Sequence, residues 1–321
     1  MRNKVTSRAK RSHRPLSWAA LLFICWNQCG AAQEAGNAKK KQPGRSAPSK
    51  VRGAAALPDA PASWPPLDVD KSMPAVKADA PCSLSNVLSK AGSHIEELTR
   101  NTDRFTATEV VQHQPVDRKG RLGSAEVRSF DYIVSMAARP SGSINVAEYR
   151  KSHSSADPFP DGIATLGTPS LVLIFHPHYV NGFQMRCEGL GQWQGHPAWQ
   201  VRFEEGHNRS SMSTLEIGGR GFDVRLRGRA WILADSYQVA RLETDLVEQI
   251  PQIRLRLQHQ NVEYQPVVLP QSKREFWLPS RTEVYMDFLG RRFYRQHTFT
   301  DVKFFSVRVQ QVIDDPKELP E

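Results

Sequence analysis

The pattern of apolar and polar positions changes from a helical to a strand-like period near residue 100. In residues 83–100, apolar side chains recur three or four positions apart, as on one face of an α-helix, and Ser83 or Ser85 can cap its start. From residue 105 onward, apolar and polar residues alternate with a period of two, which is typical of half-buried strands. The chain is therefore predicted to form one N-terminal helix followed by about ten antiparallel strands.

A sheet of about ten strands must curl or close on itself. We therefore predict a mainly β (α+β) fold, built as a curved antiparallel sheet or an unclosed half-barrel with meander connections. Residues 105–113, 126–138 and 143–151 are the first predicted strands. The apolar run at residues 170–180 fits a helix or a buried strand, and the Thr-Pro-Ser sequence at its start favours a short insert helix.

Two hairpins can be placed from their turns. Centring the first turn on His196 pairs Trp193 with Trp199, and the same face then carries Met185, Cys187, Val201 and Phe203.

In the second hairpin, a register that matches both apolar and charged positions is preferred, because a one-residue slip would invert every side chain. The predicted pairs are Ala230 with Ala240, Leu226 with Thr244, Gly228 with Leu242, Arg227 with Glu243 and Arg225 with Asp245. Further along, Pro279 predicts a sheet edge or a bulge.

The first 32 residues resemble a secretory signal peptide. A basic segment without acidic residues precedes an apolar run, residues 16–26, that is too short to span a bilayer, and Gly30-Ala31-Ala32 suits a signal peptidase. We expect cleavage after Ala32 and a periplasmic or secreted protein. An uncleaved inner-membrane anchor and a lipoprotein anchor at Cys25 or Cys29 are the alternatives.

Residues 33–81 are rich in Pro, Ala and Lys and are predicted to be a disordered linker, either a plain spacer or a tether. Its basic residues 39–52 could touch an anionic membrane surface. Residues 82–312 are predicted to form the folded domain and residues 313–321 a frayed tail. From Cys82 onward the chain holds 29 basic and 28 acidic residues, so the net charge of +10 lies outside the domain and argues against nucleic-acid binding.

Two cysteines, Cys82 and Cys187, follow the predicted signal peptide. In an exported protein this favours a disulfide bond, which would join the helix to the sheet. Two buried free thiols are the alternative.

The segment Gly228-Arg229-Ala230-Trp231-Ile232-Leu233, followed by Asp235 and by Val239-Ala240-Arg241-Leu242-Glu243, resembles the "G-x-x-W-I-D … V-x-R-x-E" segment of the LolA/LolB-like lipoprotein-carrier superfamily, which includes the RseB N-terminal domain. The resemblance implies an unclosed barrel whose concave face holds acyl chains under covering helices. It transfers no ligand residue by position.

Catalytic and metal signatures are weak. His176 and His178 lack further ligands at a recognisable spacing, no Gly-x-Ser-x-Gly motif occurs, and carboxylates such as Glu243 and Asp245 have arginine partners in the predicted hairpin. We therefore predict no catalytic residue, no metal and no cofactor.

The leading hypothesis is a non-enzymatic carrier or binder of a lipid or a lipoprotein acyl chain in the cell envelope. The alternatives are an envelope interaction or sensor module with a protein partner, and a hydrolase without a visible motif. Leu173 and Phe175 are predicted to form a lid. The other predicted ligand-lining residues are Met185, Trp199, Phe203, Leu226, Ile232, Leu242, Leu255 and Leu257.

Overall fold

The structure of the chain is a computed structural model. It describes residues 23–24, 68–71, 73–77, 79–152, 159–208, 210–217, 219–269 and 274–305. Apart from residues 23 and 24, the predicted signal peptide lies outside the described residues, as do most of the predicted linker and the predicted tail.

One α-helix, four 3-10 helices and thirteen strands make up the regular structure of the described residues. The 3-10 helices are Pro160–Gly162, Thr168–Phe175, Val180–Gly182 and Pro251–Ile253. The α-helix is α1, Leu84–Asn101. The strands are β1 (Phe23–Ile24), β2 (Arg104–Pro115), β3 (Glu126–Ala138), β4 (Ile144–Ser152), β5 (Phe183–Trp193), β6 (His196–Glu205), β7 (Thr214–Ile217), β8 (Arg220–Asp223), β9 (Leu226–Leu233), β10 (Val239–Leu246), β11 (Leu255–Leu269), β12 (Arg274–Phe288) and β13 (Arg291–Phe305).

Ten strands form one open antiparallel sheet, and this confirms the predicted fold class. Their order is β4-β3-β2-β13-β12-β11-β10-β9-β6-β5, while β1, β7 and β8 form a small separate sheet. Most sequential strands are neighbours, as a meander requires. The first long strand, β2, pairs with the last, β13, and the sheet is open between β4 and β5.

The connection from β4 to β5 passes through the concave side of the sheet. Its central part is the plug segment, Thr168–Phe175, a 3-10 helix in which every residue is buried. The short insert helix predicted for residues 170–180 is thus present in 3-10 form and begins two residues earlier. Because the plug segment and α1 both pack on the concave face, the apolar interior is largely filled by the chain itself.

The predicted register of the first hairpin is wrong. Gln194 and Gly195 both have positive φ (48° and 85°), as in a two-residue type I′ turn, so Trp193 lies opposite His196 and Trp199 lies opposite Leu190. The predicted shared face is correct for Met185 opposite Phe203 and Cys187 opposite Val201. Trp193 lies on the other face, where its ring centroid is 6.2 Å from that of Trp231.

In the second hairpin the predicted register is displaced by two residues. An irregularity between Val239 and Arg241 leaves Ala240 without a partner, so Ala230 lies opposite Leu242 rather than Ala240. A displacement by an even number keeps each side chain on its predicted face. Arg227 therefore lies opposite Asp245, and Arg229 opposite Glu243.

Residues 68–71 and 73–77, which composition assigns to the linker, lie on the sheet and are called the strap. Val69 is fully buried; its amide donates to Asp245 and its carbonyl accepts from Arg229. The strap then crosses the outer edge of β5, where Lys77 pairs with Leu190. Gly189 permits this approach, since a Cβ there would lie 2.8 Å from the Lys77 carbonyl oxygen.

The disulfide bond between Cys82 and Cys187 is present and confirms the predicted pair. It joins the residue just before α1 to the edge strand β5, across 105 residues of sequence. The bond therefore fixes the start of the helix at the open edge of the sheet.

Reduction of this bond should lower the free energy of unfolding by roughly 2–5 kcal/mol, because the unfolded chain regains the freedom of a long loop. Urea denaturation with and without reductant measures the difference. A Cys82→Ser/Cys187→Ser variant is the control and should not respond to reductant. Equal stability of the natural chain in both conditions would contradict the structural role given to the bond.

Candidate functional site

A groove of about 580 Å³ lies between α1 and the start of β5. One wall comes from α1, the other from the end of the plug segment and the chain that follows it. The apolar residues that line the groove are Leu84, Leu88, Phe175, Pro177, Val180, Phe183 and Met185. Ser89, Ser93 and Asn181 add hydroxyl and amide groups to its lining.

Two contacts fix the helix beside this groove. The disulfide bond holds its first end at β5. Further along, Gly92 lies against the plug segment so closely that a Cβ would meet the Phe175 carbonyl oxygen at 3.0 Å. The helix is therefore held close to the sheet on both sides of Leu88.

The floor of the groove is aromatic. The rings of Phe175 and Phe183 each meet the buried Phe203 edge to face, with centroid distances of 6.1 and 6.0 Å. Such pairs are worth about 0.5–1.5 kcal/mol beyond the area that they bury. The floor is therefore formed before any ligand arrives.

The structure separates the ten predicted ligand-lining residues into three groups. Phe175 and Met185 line the groove. Leu257 lies elsewhere, because an irregularity between Leu255 and Leu257 turns Leu257 to the convex face, beside Arg227 and Asp245. The seven others belong to the interior or pack against it: Leu173, Trp199, Phe203, Leu226, Ile232, Leu242 and Leu255.

A second feature of the concave face is a buried ionic cluster under residues 159–167. Glu109 of β2 is fully buried, forms an ion pair with Arg150 of β4 and accepts from His297 Nδ1 at 2.8 Å. Glu148 forms a further ion pair with Arg150 (3.3 Å) and accepts from the hydroxyl of Tyr132 (2.6 Å).

The charges of this cluster are set by burial and by their partners. Burial opposes ionisation of Glu109, but Arg150 and His297 outweigh it and lower the pKa of Glu109 to about 2. Burial raises the pKa of Glu148 and lowers that of His297. Glu109 is therefore ionised near neutral pH, and His297 is neutral.

Arg295 attaches the covering segment to the sheet. Its guanidinium donates to the carbonyl oxygens of Pro160 and Ile163 and to the hydroxyl of Thr165. Its Nε also donates to His113 Nδ1 at 3.1 Å. Three hydrogen bonds from one fully buried side chain thus hold the segment that leads into the plug segment, and the fourth joins β13 to β2.

No residue of this cluster is among those predicted from sequence. The position of Glu109 could have been noticed in the sequence. It lies between Ala107 and Val111, at one of the alternate positions of β2 that face the interior. A carboxylate at an apolar phase is a sign of a buried ion pair. Its partner His297 on β13 could not be read from the sequence, since that contact depends on the pairing of the first long strand with the last. Its partner Arg150 depends on the registers of β2, β3 and β4.

The two histidines of the apolar insert both pack against the ring of Tyr179. His176 is buried, and its Nδ1 accepts from the backbone amide of His178. Within the described residues, no group of three or more His, Cys, Asp or Glu side chains is arranged to hold a metal ion. Helix α1 is not apolar enough to cross a membrane, and neither is any other helix in the described part of the chain.

Comparison with known proteins finds similarity only at the level of structure. Neither a family model nor a curated protein matches the sequence. A DUF1329 family protein from Desulfovibrio piger is 9% identical with a TM-score of 0.38, covering 69% of this chain and 92% of that one. A LolA superfamily protein from Nitrosomonas europaea is 10% identical with a TM-score of 0.34, covering 71% and 96%.

A third solved structure is an outer membrane lipoprotein-sorting protein domain from Vibrio parahaemolyticus. It is 8% identical with a TM-score of 0.35, and the match covers 71% of this chain and 95% of that one. The superfamily suggested by the hairpin motif is thus named among the similar structures. Likeness at these values assigns no ligand to this chain.

The buried His113 should make stability depend on pH. Burial, followed by the charge of Arg295, lowers its pKa from 6.5 to about 4. Between these values the unfolded chain binds the proton and the folded chain does not. The contribution of neutral His113 to the free energy of unfolding is therefore fully present above pH 6.5. As the pH falls to 4, the free energy of unfolding decreases by roughly 2–3 kcal/mol.

Urea denaturation at several pH values in this window measures the loss. A His113→Asn variant should show a shallower decline, whereas His196→Asn, at an exposed turn, should follow the natural chain. Parallel curves for the natural chain and His113→Asn would exclude His113 as the source.

Proposed function

We propose that this chain is an exported, non-enzymatic protein that binds a hydrophobic ligand, the acyl chain of a lipid or of a lipidated protein. The groove between α1 and β5 is the observation that carries the proposal. Its volume of about 580 Å³ lies within the range of about 300–1,000 Å³ that is usual for small-molecule sites. Export is inferred from the signal-like N-terminus.

The lining of the groove favours an elongated aliphatic ligand. Leucine side chains of the helix face the aromatic floor and Met185 across it. Methionine adapts its shape to irregular apolar partners, which suits a chain with many conformations. Ser89, Ser93 and Asn181 offer hydrogen bonds that could fix a polar head group at the groove.

The groove also explains why filling the interior does not exclude binding. The plug segment occupies the concave face, but its last residue, Phe175, also lines the groove. An acyl chain could therefore contact the core through the groove, with the plug segment left in place.

An envelope interaction module is the second candidate, and the edge of the sheet at β4 favours it. Among the described strands, β4 pairs only with β3, and its Tyr149 side chain is 60% exposed. A free edge can accept an extended peptide by strand addition. This function would not require the groove.

A Leu88→Arg substitution should weaken binding of a fluorescent fatty acid by at least about tenfold, because a charge would be desolvated by the ligand. Fluorescence titration of the chain measures the affinity. Val127→Arg is the matched control, because Val127 is exposed on β3, away from the groove, and this variant should bind as the natural chain does. No binding by the natural chain, or equal affinities for both variants, would refute the groove as the site.

A further inference from the structure

Four polar side chains form a row across the concave face beneath the plug segment. They come from four consecutive strands of the sheet: Thr244 of β10, Gln260 of β11, Thr282 of β12 and His297 of β13. Each residue is at most 2% exposed. Each also has one side-chain atom without a hydrogen-bond partner among the described residues, namely Thr244 Oγ1, Gln260 Oε1, Thr282 Oγ1 and His297 Nε2.

Strand pairing brings the members of this row together. Thr244 lies directly opposite Gln260, and Thr282 directly opposite His297. The two pairs are offset by one step, since Gln260 lies opposite Val284, two residues after Thr282. Side chains directly opposite on one face are about 4.5–5.5 Å apart at Cβ, and diagonal ones remain within reach. The four polar groups therefore form one continuous row.

The chemistry of the row follows from the ionic cluster beside it. Ionised Glu109 accepts a hydrogen bond from the N–H at His297 Nδ1, so the neutral ring presents Nε2 as an acceptor. The Gln260 side-chain oxygen is also an acceptor, while the threonine hydroxyls can donate or accept. A complementary group must donate hydrogen bonds and must be able to accept them.

A small cavity of about 30 Å³ adjoins the row at Gln260, which is the one member of the row in its lining. It exceeds the roughly 10–15 Å³ that one water molecule needs. Its polar lining comes from Gln258, Gln260 and Thr165, and its remaining walls are mostly apolar, with Leu255, Met286 and Phe288 among them. A hydroxyl group fits both the space and the hydrogen-bonding pattern.

We propose that this row is a binding site for O–H groups, separate from the acyl-chain groove and independent of it. Ordered water and the hydroxyl of a neutral alcohol, such as a glycerol group, are the two sources of that chemistry. O–H groups bound along the row would give hydrogen-bond partners to its four unpaired side-chain atoms. Buried polar atoms in folded proteins nearly always have such partners.

Replacing Thr282 by valine tests the proposal, because the two side chains have the same shape. If an O–H group is bound, Thr282→Val removes one of its partners and should lower the midpoint of urea denaturation. If the row is dry, the same change removes an unpaired hydroxyl and should raise the midpoint. Thr108→Val, a half-buried threonine on the convex face of β2, corrects for the general effect of the substitution.

A crystal structure of the chain at high resolution supplies the second readout. Density within about 2.7–3.2 Å of Thr282 Oγ1 and His297 Nε2 is expected. Crystals grown without alcohol and crystals soaked in glycerol distinguish water, which would persist, from an alcohol site, at which glycerol would replace it. An empty row together with a stabilised Thr282→Val variant would overturn the proposal. Neither result depends on whether the groove binds lipid.

Discussion

Burial of the plug segment by the concave face of an open sheet is the interaction on which the rest of the structure depends. Ten strands could close into a barrel if β4 paired with β5, but these two strands are the edges of the sheet. The chain between them instead enters the interior and buries all eight residues from Thr168 to Phe175. The apolar interior is thus filled from within, and the sheet does not need to close.

Because the sheet stays open, its two edge strands, β4 and β5, are held by different contacts. At β5 the strap and the disulfide bond cover the edge and fix α1 there, which creates the groove between helix and strand. Toward β4 the concave face carries ion pairs, and Arg295 and Glu148 bind the backbone that leads into the plug segment. One half of the interior is therefore held by apolar packing and the other by buried charges. Such charges need their partners, because breaking one buried pair leaves the other charge unpaired.

The sequence predicts the elements of this fold better than their pairing. The period of two along β2, β3 and β4 locates those strands to within a few residues, and the helical period does the same for α1. The paired cysteines could be proposed because both follow the predicted signal peptide and one lies at an apolar position of a strand. Each of these inferences uses only local spacing.

The predicted strand registers are wrong where one extra residue interrupts the regular pairing of a strand. An unpaired Ala240 moves the second hairpin by two positions, and an irregularity after Leu255 sends Leu257 to the opposite face. The strap was not predicted because it lies within a proline-rich segment, although Asp68 and Asp70 supply partners for Arg202 and Arg227. The ionic cluster requires the first long strand, β2, to pair with the last, β13, and the polar row requires the registers of four consecutive strands. No local pattern in the sequence records either. Of the ten residues predicted to line a ligand, Phe175 and Met185 border the groove at the edge of the sheet, and seven others lie in or against the interior.

The plug segment is part of the core and does not open while the sheet stays folded. A Ser170→Cys substitution places a thiol of nearly the same size at a fully buried position of this segment. Its rate of modification by a thiol reagent, measured across a range of urea concentrations, reports how the segment opens. We expect negligible labelling in water and a rate that rises with global unfolding. Rapid labelling in water, independent of urea, would show that the segment leaves the concave face while the sheet stays folded, and would contradict the account.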